Sequence, residues 1–559
     1  MPTFTLDGQE IPFEKGDSII KAAWRQGVEI PHYCWHPGLS VAANCRMCLV
    51  EIKSDRPMML PVLRWDDQAQ QYTPVDKPKL VPSCQTGAAE GMQVLARSGN
   101  ALKAQAAVQE FLLLNHPVDC PICDQAGECK LQDYWLTSQG SLKRKRGEPV
   151  HKPKGVRFGP TIVYDAERCI VCTRCIRVCD ELVHDHVLDM RERGNRNEII
   201  LSPGRELDHR YTLMTEHVCP VGALTSRDFR FKARVWFLRA APSVCPGCAT
   251  GCNSFIDYDP RDNRAHRLRP RDNSEVNGFW MCDDGMLTYQ RIHEDRVRAA
   301  RVWDAKHAGN GDGRANGRDS HAEGVDDAGG FRRGQGRILS VAQALSVAAE
   351  ALGRIEAGTH AVVLSAQYCN EDNFALAQLA TGVLGASRMY LAALGGWEGD
   401  DILRDSDNNP NRAGAQQVAG KRLGTLADLA KDVESGLVRA VVGLGAESDE
   451  PQEQLTALAK LEVLVLLASH AGPLLAPASL VLPVACYAEM DGTFVNRDGK
   501  AQRFRRALPP AVGVQPAWAA IAALAKAMSK PFAYDRLPDL RRAMGASAPA
   551  EPRAAEGRV

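Results

Sequence analysis

RCIVCTRCIRVCDE, residues 168–181, carries Cys169, Cys172 and Cys175 at C-x2-C-x2-C spacing, with Cys179 following at x3. Spacing this tight brings several sulfurs within reach of one metal group. It suits neither a disulfide framework nor zinc, which favours two separated pairs. It does suit iron–sulfur ligation. Working outward from this run, fifteen of the 18 cysteines and one histidine fall into four groups of four, all within the first 282 residues.

The first group is Cys34, Cys45, Cys48 and Cys84, or C-x10-C-x2-C-x35-C. One close pair and two single thiols resemble the plant-type [2Fe–2S] arrangement more than a zinc site. The second is His116, Cys120, Cys123 and Cys129. Three cysteines do not complete a four-ligand site, and on spacing alone His116, Asp119 or Asp124 could supply the fourth ligand. Pro117 stiffens the chain directly after His116. In the third group, Cys179 completes a ferredoxin-like string. In two-cluster ferredoxins the fourth cysteine of a string serves the other cluster, and the missing ligand is a distant cysteine followed by proline. Cys219-Pro220 has that form. Cys169, Cys172, Cys175 and Cys219 are therefore read as one [4Fe–4S] set, and Cys179 as a relic or packing residue. The fourth group, Cys245, Cys248, Cys252 and Cys282, is C-x2-C-x3-C-x29-C and again suits [4Fe–4S].

The chain has 559 residues, too many for one core, so several domains are expected. Lys+Arg and Asp+Glu are 68 each, which argues against a nucleic-acid binder. The run Lys143-Arg144-Lys145-Arg146 reads as a solvated loop. No secretory signal is visible, and no run approaches the ~18 apolar residues of a membrane span. With clustered cysteines, this points to a reducing compartment and metal ligation.

Thr3–Thr5 and Ile11–Phe13 alternate around Asp7-Gly8, a hairpin signal. Asp17 is expected to cap a helix from Ser18 to about Arg25, ended by Gly27. Residues 98–140 read as helical around a cysteine loop. Residues 304–337 are dense in Gly, Asp and Arg and read as a disordered linker. Beyond them, the short apolar strands Ala361–Leu364, Ala440–Val442 and Val463–Leu467 alternate with Ala/Leu-rich helices, which predicts α/β layering on a mainly parallel sheet. Residues from about Gly545 read as a disordered tail. Gly414–Lys421 has one intervening residue too many for a phosphate loop, and Gly443-x-Gly445 has no third glycine at the dinucleotide spacing.

NCRMCLVEI (44–52), NHPVDCPICDQAGECKLQDY (115–134), RCIVCTRCIRVCDE (168–181) and CPVGALTSR (219–227) together resemble the large iron–sulfur subunit of respiratory complex I, the NADH:quinone oxidoreductase. The segment from Pro242 to Cys282 resembles the cluster domain of molybdopterin oxidoreductases, and AEMDGTFVNRDGKAQ (488–502) their late cofactor-side loop. The resemblance selects His116 as the fourth ligand of the second group and supports Cys219. It implies a multidomain α/β and α+β chain. Residues 1–97 would be a β-grasp [2Fe–2S] ferredoxin domain. Residues 98–145 would be a helical [4Fe–4S] segment with one histidine and three cysteine ligands. Residues 146–238 would be a ferredoxin-like [4Fe–4S] domain and 239–303 a molybdopterin-oxidoreductase-type [4Fe–4S] domain. After the 304–337 linker, 338–535 would be a reduced molybdopterin-oxidoreductase-like α/β domain and 536–559 a tail.

The expected cofactors are one [2Fe–2S] and three [4Fe–4S] clusters. Neither molybdenum nor pterin is expected, because Cys369 falls too early and Cys486 too late for the metal-ligand position. The expected activity is electron relay within an NADH:quinone oxidoreductase, with no catalytic residues of its own. Its partners would be an FMN flavoprotein subunit that oxidises NADH and other peripheral-arm subunits, with no nucleic acid and membrane contact only through partners. The expected location is peripheral, on the cytoplasmic face of the inner (plasma) membrane. The alternatives are an iron–sulfur subunit of an NAD-linked formate dehydrogenase or hydrogenase, and a zinc-stapled scaffold.

Overall fold

A computed structural model describes residues 1–53, 59–137, 144, 146–303, 336–420 and 423–545. The chain divides into two compact units, 1–237 and one beginning at Leu238.

The first unit opens with the expected hairpin. Thr3–Leu6 pairs antiparallel with Gln9–Pro12, and the turn puts Asp7 and Gly8 at φ 48° and 89°. Two left-handed residues match the twist of the flanking strands. Thr3–Leu6 also runs parallel to Gln93–Leu95, and Leu49–Lys53 lies antiparallel between Gln93–Leu95 and Leu80–Pro82. The helix Ile19–Arg25 packs Ile19, Ile20 and Ala23 into the core of this sheet with Phe4, Ile11, Val50 and Val94. Ser18, not Asp17, caps it: Ser18 Oγ accepts from Lys21 N at 3.4 Å. Asp17 accepts from the Glu14 amide and pairs with Arg25 at 2.9 Å. Its carboxylate therefore ties the last turn back to the loop before the first. Helices Gly99–Leu113 and Lys130–Thr137 flank the second cysteine group. Of the basic run, Arg144 hydrogen-bonds Glu110 on the first of these helices.

The second unit begins with the antiparallel strands Arg239–Val244, Asn253–Asp259 and Arg264–Pro270. Its body is an eight-stranded sheet. The strands His360–Ser365, Arg388–Ala392, Gly424–Thr425, Ala440–Leu444, Val463–Ala468 and Leu480–Pro483 run parallel. Alternate strand residues serve opposite faces. Val362, Leu364, Val465 and Leu467 join a core under helices Val341–Gly353, Asn370–Gln378 and Ala517–Ala527. Ala361, Val363, Leu464 and Leu466 join another under Leu426–Glu434 and Gln452–Leu458. A sheet buried on both faces requires the near-continuous apolar runs seen in the sequence.

Three boundaries differ from expectation. Ala300–Val302, assigned to the cluster domain, is a strand of the large sheet and pairs antiparallel with both Leu480–Val481 and Arg337–Leu339. Arg337, assigned to the linker, is already in that strand, and Gly336 packs on the Trp303 indole. The remainder of the linker, 304–335, lies outside the described residues, as does the tail from 546. The segment 537–543, assigned to the tail, is a helix whose Leu540 is fully buried in the core. Its Arg541 pairs at 2.8 Å with Glu371, itself buried. The phosphate-loop look-alike is a helix, Arg412–Ala419, closed by left-handed Gly420.

Candidate metal centres

The third group is the most completely formed. Cys169, Cys172, Cys175 and Cys219 line one internal hollow, walled by Tyr164, Ile199 and Leu224. Between the clustered cysteines, Val171 and Thr173 hold left-handed φ of 53° and 63°. For β-branched residues that is strained backbone, of the kind concentrated at ligand clamps. The bend turns the Val171 amide onto Cys169 Sγ at 3.3 Å. Cys219 is delivered by the helix Thr212–His217. Cys179 is not among the residues lining the hollow; its sulfur lies 3.4 Å from His209 Nε2.

In the first group, Cys34, Cys48 and Cys84 are buried and Cys45 half-buried. Ala43 and Arg46 are left-handed, curling the loop that carries Cys45 and Cys48. The Cys34 amide reaches Cys45 Sγ at 3.5 Å. Hydrogen bonds from Cys45 to Cys34 and from Cys84 to Cys48 push the Cys34 and Cys48 thiols below their ordinary value, so four sulfurs interact in pairs.

A single-turn helix, Cys120–Ile122, opens the cysteine loop of the second group. Asp119, one candidate fourth ligand, is occupied: its Oδ2 accepts from Lys154 at 2.7 Å and Arg168 at 2.9 Å. Burial raises its pKa, but these cations more than offset that and lower it. Asp124 is buried; its Oδ1 accepts from the Phe231 amide at 2.9 Å, and its Oδ2 has no partner among the described residues. His116 is half-buried and lines a hollow that also receives Cys169 of the third group.

In the fourth group all four cysteines are buried. The amides of Gly247 and Gly285 each lie 3.4 Å from a sulfur, Cys245 and Cys282 respectively. The hairpin Gly492–Val495/Ala501–Phe504 clamps the cysteine loop. Gln502 Nε2 donates to Gly251 O at 2.8 Å, Asn496 Nδ2 to Thr250 O at 3.2 Å, and the Arg497 amide to Ala249 O at 2.8 Å. The late loop singled out in the sequence therefore grips this group through hydrogen bonds to its backbone carbonyls.

None of the eighteen cysteines forms a disulfide. Burial raises the thiols of Cys169, Cys172, Cys175 and Cys219, and likewise those of Cys245, Cys252 and Cys282. Packing several thiols in a dry site opposes bare thiolates, and a bound metal offsets that cost. Amide N–H groups aimed at sulfur in three of the groups fit thiolate ligands. Two buried guanidinium nitrogens beside the third group, Arg174 Nε and Arg177 Nε, have no protein partner among the described residues. Buried cationic donors beside a group of four cysteines fit an anionic iron–sulfur cluster.

Known proteins match the segments that carry these groups. Residues 1–99 match a 2Fe-2S iron-sulfur cluster binding domain, and 105–139 match the NADH-ubiquinone oxidoreductase-G iron-sulfur binding region. Residues 159–225 match the ferredoxin-like domain of NADH-quinone oxidoreductase subunit 3. Residues 238–294 match the molybdopterin oxidoreductase Fe4S4 domain and 406–527 molybdopterin oxidoreductase. The G subunit of NADH-quinone oxidoreductase from Mycobacterium tuberculosis is 31% identical over 455 residues, 81% of this chain and 49% of that protein. The Rickettsia bellii G subunit is 36% identical over 304 residues, 53% of this chain and 41% of that protein. The chain is similar to the G subunits of NADH-quinone oxidoreductases. The mitochondrial NADH dehydrogenase [ubiquinone] iron-sulfur protein 1 of Solanum tuberosum is also similar, at 36% over 300 residues, 53% of this chain and 37% of that protein. The chain spans about half the length, or less, of these relatives. Among solved structures, a chain of an NAD+-reducing [NiFe]-hydrogenase is 26% identical and covers 42% of this chain and 91% of its own length, with a TM-score of 0.34.

Three features of the described residues escape sequence reading. Arg174 and Arg177 give no periodic or spacing signal that separates them from surface arginines, yet both are buried between ligand loops. Gly222 abuts Cys123, a contact between residues far apart in the chain. Cys369 and Cys486, dismissed separately on sequence position, line one cavity with Tyr368, Asp372, His470 and Tyr487.

Proposed function

We propose that this chain is a non-catalytic electron relay of an NADH:quinone oxidoreductase. It would hold one [2Fe–2S] cluster at Cys34, Cys45, Cys48 and Cys84, and three [4Fe–4S] clusters. The ligands of these three are His116, Cys120, Cys123 and Cys129; Cys169, Cys172, Cys175 and Cys219; and Cys245, Cys248, Cys252 and Cys282. The observation that carries this reading is the convergence of Cys219 with Cys169, Cys172 and Cys175 on one apolar-walled hollow. Such clusters supply one-electron transfer at potentials set by charge, hydrogen bonding and exposure. The protein's own residues ligate, exclude water and fix the spacing. Electrons would enter from an FMN flavoprotein subunit that oxidises NADH and leave through other iron–sulfur subunits towards quinone. Membrane association would come through those partners; among the described residues no helix is long and apolar enough to cross a membrane.

The second unit is proposed to hold neither molybdenum nor pterin. Its hairpin grips the fourth cysteine group, which gives the unit a covering role. The cavity holding Cys369 and Cys486 favours a second reading, a catalytic subunit with a metal there. Against it, the Cys369 thiol is already engaged, donating to Asp372 Oδ2 at 3.1 Å.

Anaerobic iron and sulfide counting with EPR at several temperatures tests the relay reading. About 14 iron atoms per chain are expected. Stoichiometric zinc, or iron far below that value after reconstitution, contradicts it. One molybdenum or tungsten per chain, with released pterin, promotes the second reading.

A further inference from the structure

Arg174 and Arg177 lie between the first and third cysteine groups, 5% and 9% exposed. Their hydrogen-bond partners are backbone carbonyls from both sides. Arg177 Nη2 donates to Cys34 O of the first group at 2.6 Å and to Cys172 O of the third at 3.3 Å. Its Nη1 donates to Ser40 O. Arg174 Nη2 donates to Trp35 O, and its Nη1 to Val218 O at 3.1 Å, beside Cys219. Each arginine therefore joins the loop of Cys34 to the loops of the third group.

Among the described residues neither guanidinium pairs with a carboxylate, and the Nε of each is buried without a protein partner. Two unpaired buried cations are costly unless something anionic faces them. Arginine cannot shed its proton to escape that cost. The groups available to answer that charge are the ligand sulfurs: Cys172 of the third group interacts electrostatically with both arginines, Cys219 with Arg174, and Cys34 of the first group with Arg177.

We propose that Arg174 and Arg177 are the shared counter-charge of the first and third centres, positioning residues that make both easier to reduce and hold their loops at a fixed separation. This rests on the cluster assignment above. A cluster held by four thiolates is a net anion, and one added electron raises that negative charge by one, with no bond made or broken and no proton required. A permanent positive charge beside it stabilises the reduced form more than the oxidised form and so raises the potential. Because the two guanidinium groups span both loops, removing either charge should shift both centres together. A change confined to one ligand loop would not do that.

The test is an EPR-monitored redox titration of the full chain, or of the complex that contains it, with dithionite as reductant. Iron and sulfide counting on the unaltered protein comes first, and a shortfall at these groups defeats the cluster assignment itself. Given full loading, R174Q and R177Q should each lower the reduced-to-oxidised ratio at fixed potential by at least about tenfold, some 59 mV for one electron, at the first and third centres. The Cys245–Cys282 centre should not move. R174K and R177K, which keep the charge, should recover most of the shift. Fully loaded glutamine variants with unchanged potentials overturn the proposal. If the glutamine variants lose both centres, the lysine variants decide. Loaded lysine variants with near-native potentials support the charge role. Loss of the centres despite the retained charge shows a purely structural strap and overturns it.

Discussion

Gly222 stands against Cys123: a Cβ at position 222 would fall well inside contact distance of the Cys123 sulfur. Gly222 follows Cys219 by three residues, so the loop that ends the third ligand set presses on a sulfur of the second. The Lys130 amide donates to Pro220 O at 3.1 Å in the same region. No real Cβ tolerates that approach, so either the sulfur or the loop must move. Gly222→Ala should therefore abolish or distort the EPR signal of the second centre and broaden that of the third. The first and fourth signals should persist. Four unchanged signals would show that the loop relaxes freely.

Cys179 and Cys219 should behave oppositely. Cys219 lines the hollow, whereas Cys179 faces His209. Cys219→Ser should remove or convert one [4Fe–4S] signal. Cys179→Ser should leave all signals and electron transfer near normal, with thermal stability reduced by no more than about 1 kcal/mol for one lost weak contact. The reverse pattern would reassign the ligand.

His116 and Asp124 compete as the fourth ligand of the second group, since Asp119 is held by Lys154 and Arg168. His116→Ala should destroy or convert the second centre. Asp124→Asn keeps an acceptor for the Phe231 amide and should spare it. Imidazole ligation also predicts that His116→Cys, if it assembles, lowers the potential, because thiolate adds negative charge. Loss of the centre in Asp124→Asn alone would move the ligand to the carboxylate.

Asp372 links stability to pH. Burial pushes its carboxyl from the ordinary 3.8 up to about 7. Between those values the folded chain holds a proton that the unfolded chain releases. The stabilisation is complete below about pH 4 and is lost as pH rises through about 7. Asp372→Asn keeps an acceptor for the Trp518 amide, which now donates to Oδ1 at 2.8 Å. Thermal scans from pH 4 to 8 should show a flatter profile for this variant than for the unaltered protein. Parallel profiles would place the pH dependence elsewhere, with Glu447, also raised by burial, the next candidate.

The helix Leu537–Ala543 is core, not tail. Leu540→Ala empties a fully buried site and should cost about 2–5 kcal/mol in the second unit. Truncation after residue 535 should destabilise that unit further, because it also leaves buried Glu371 without Arg541. Chemical denaturation followed by tryptophan fluorescence reads both. An unchanged transition would return the segment to the tail.

Much of this protein is written locally. A two-residue turn needs Asp7-Gly8, a strand buried on both faces needs a run such as Val463–Ala468, and ligand loops need cysteines two or three residues apart. These are short-range patterns, so the sequence alone determined the fold class, the family resemblance and the candidate ligands. It misjudged elements whose stability comes from distant partners. Ala300–Val302 is too short to signal a strand until Leu480–Val481 and Arg337–Leu339 pair with it. Residues 537–543 show no strong stripe until Leu540 meets the core and Arg541 meets Glu371. Only the tertiary structure brought Cys219 to the hollow, set Gly222 against Cys123, placed Cys369 and Cys486 at one cavity, and buried Arg174 and Arg177 between two ligand loops. Burial and through-space charge depend on what the rest of the chain excludes from water, and no local spacing encodes that.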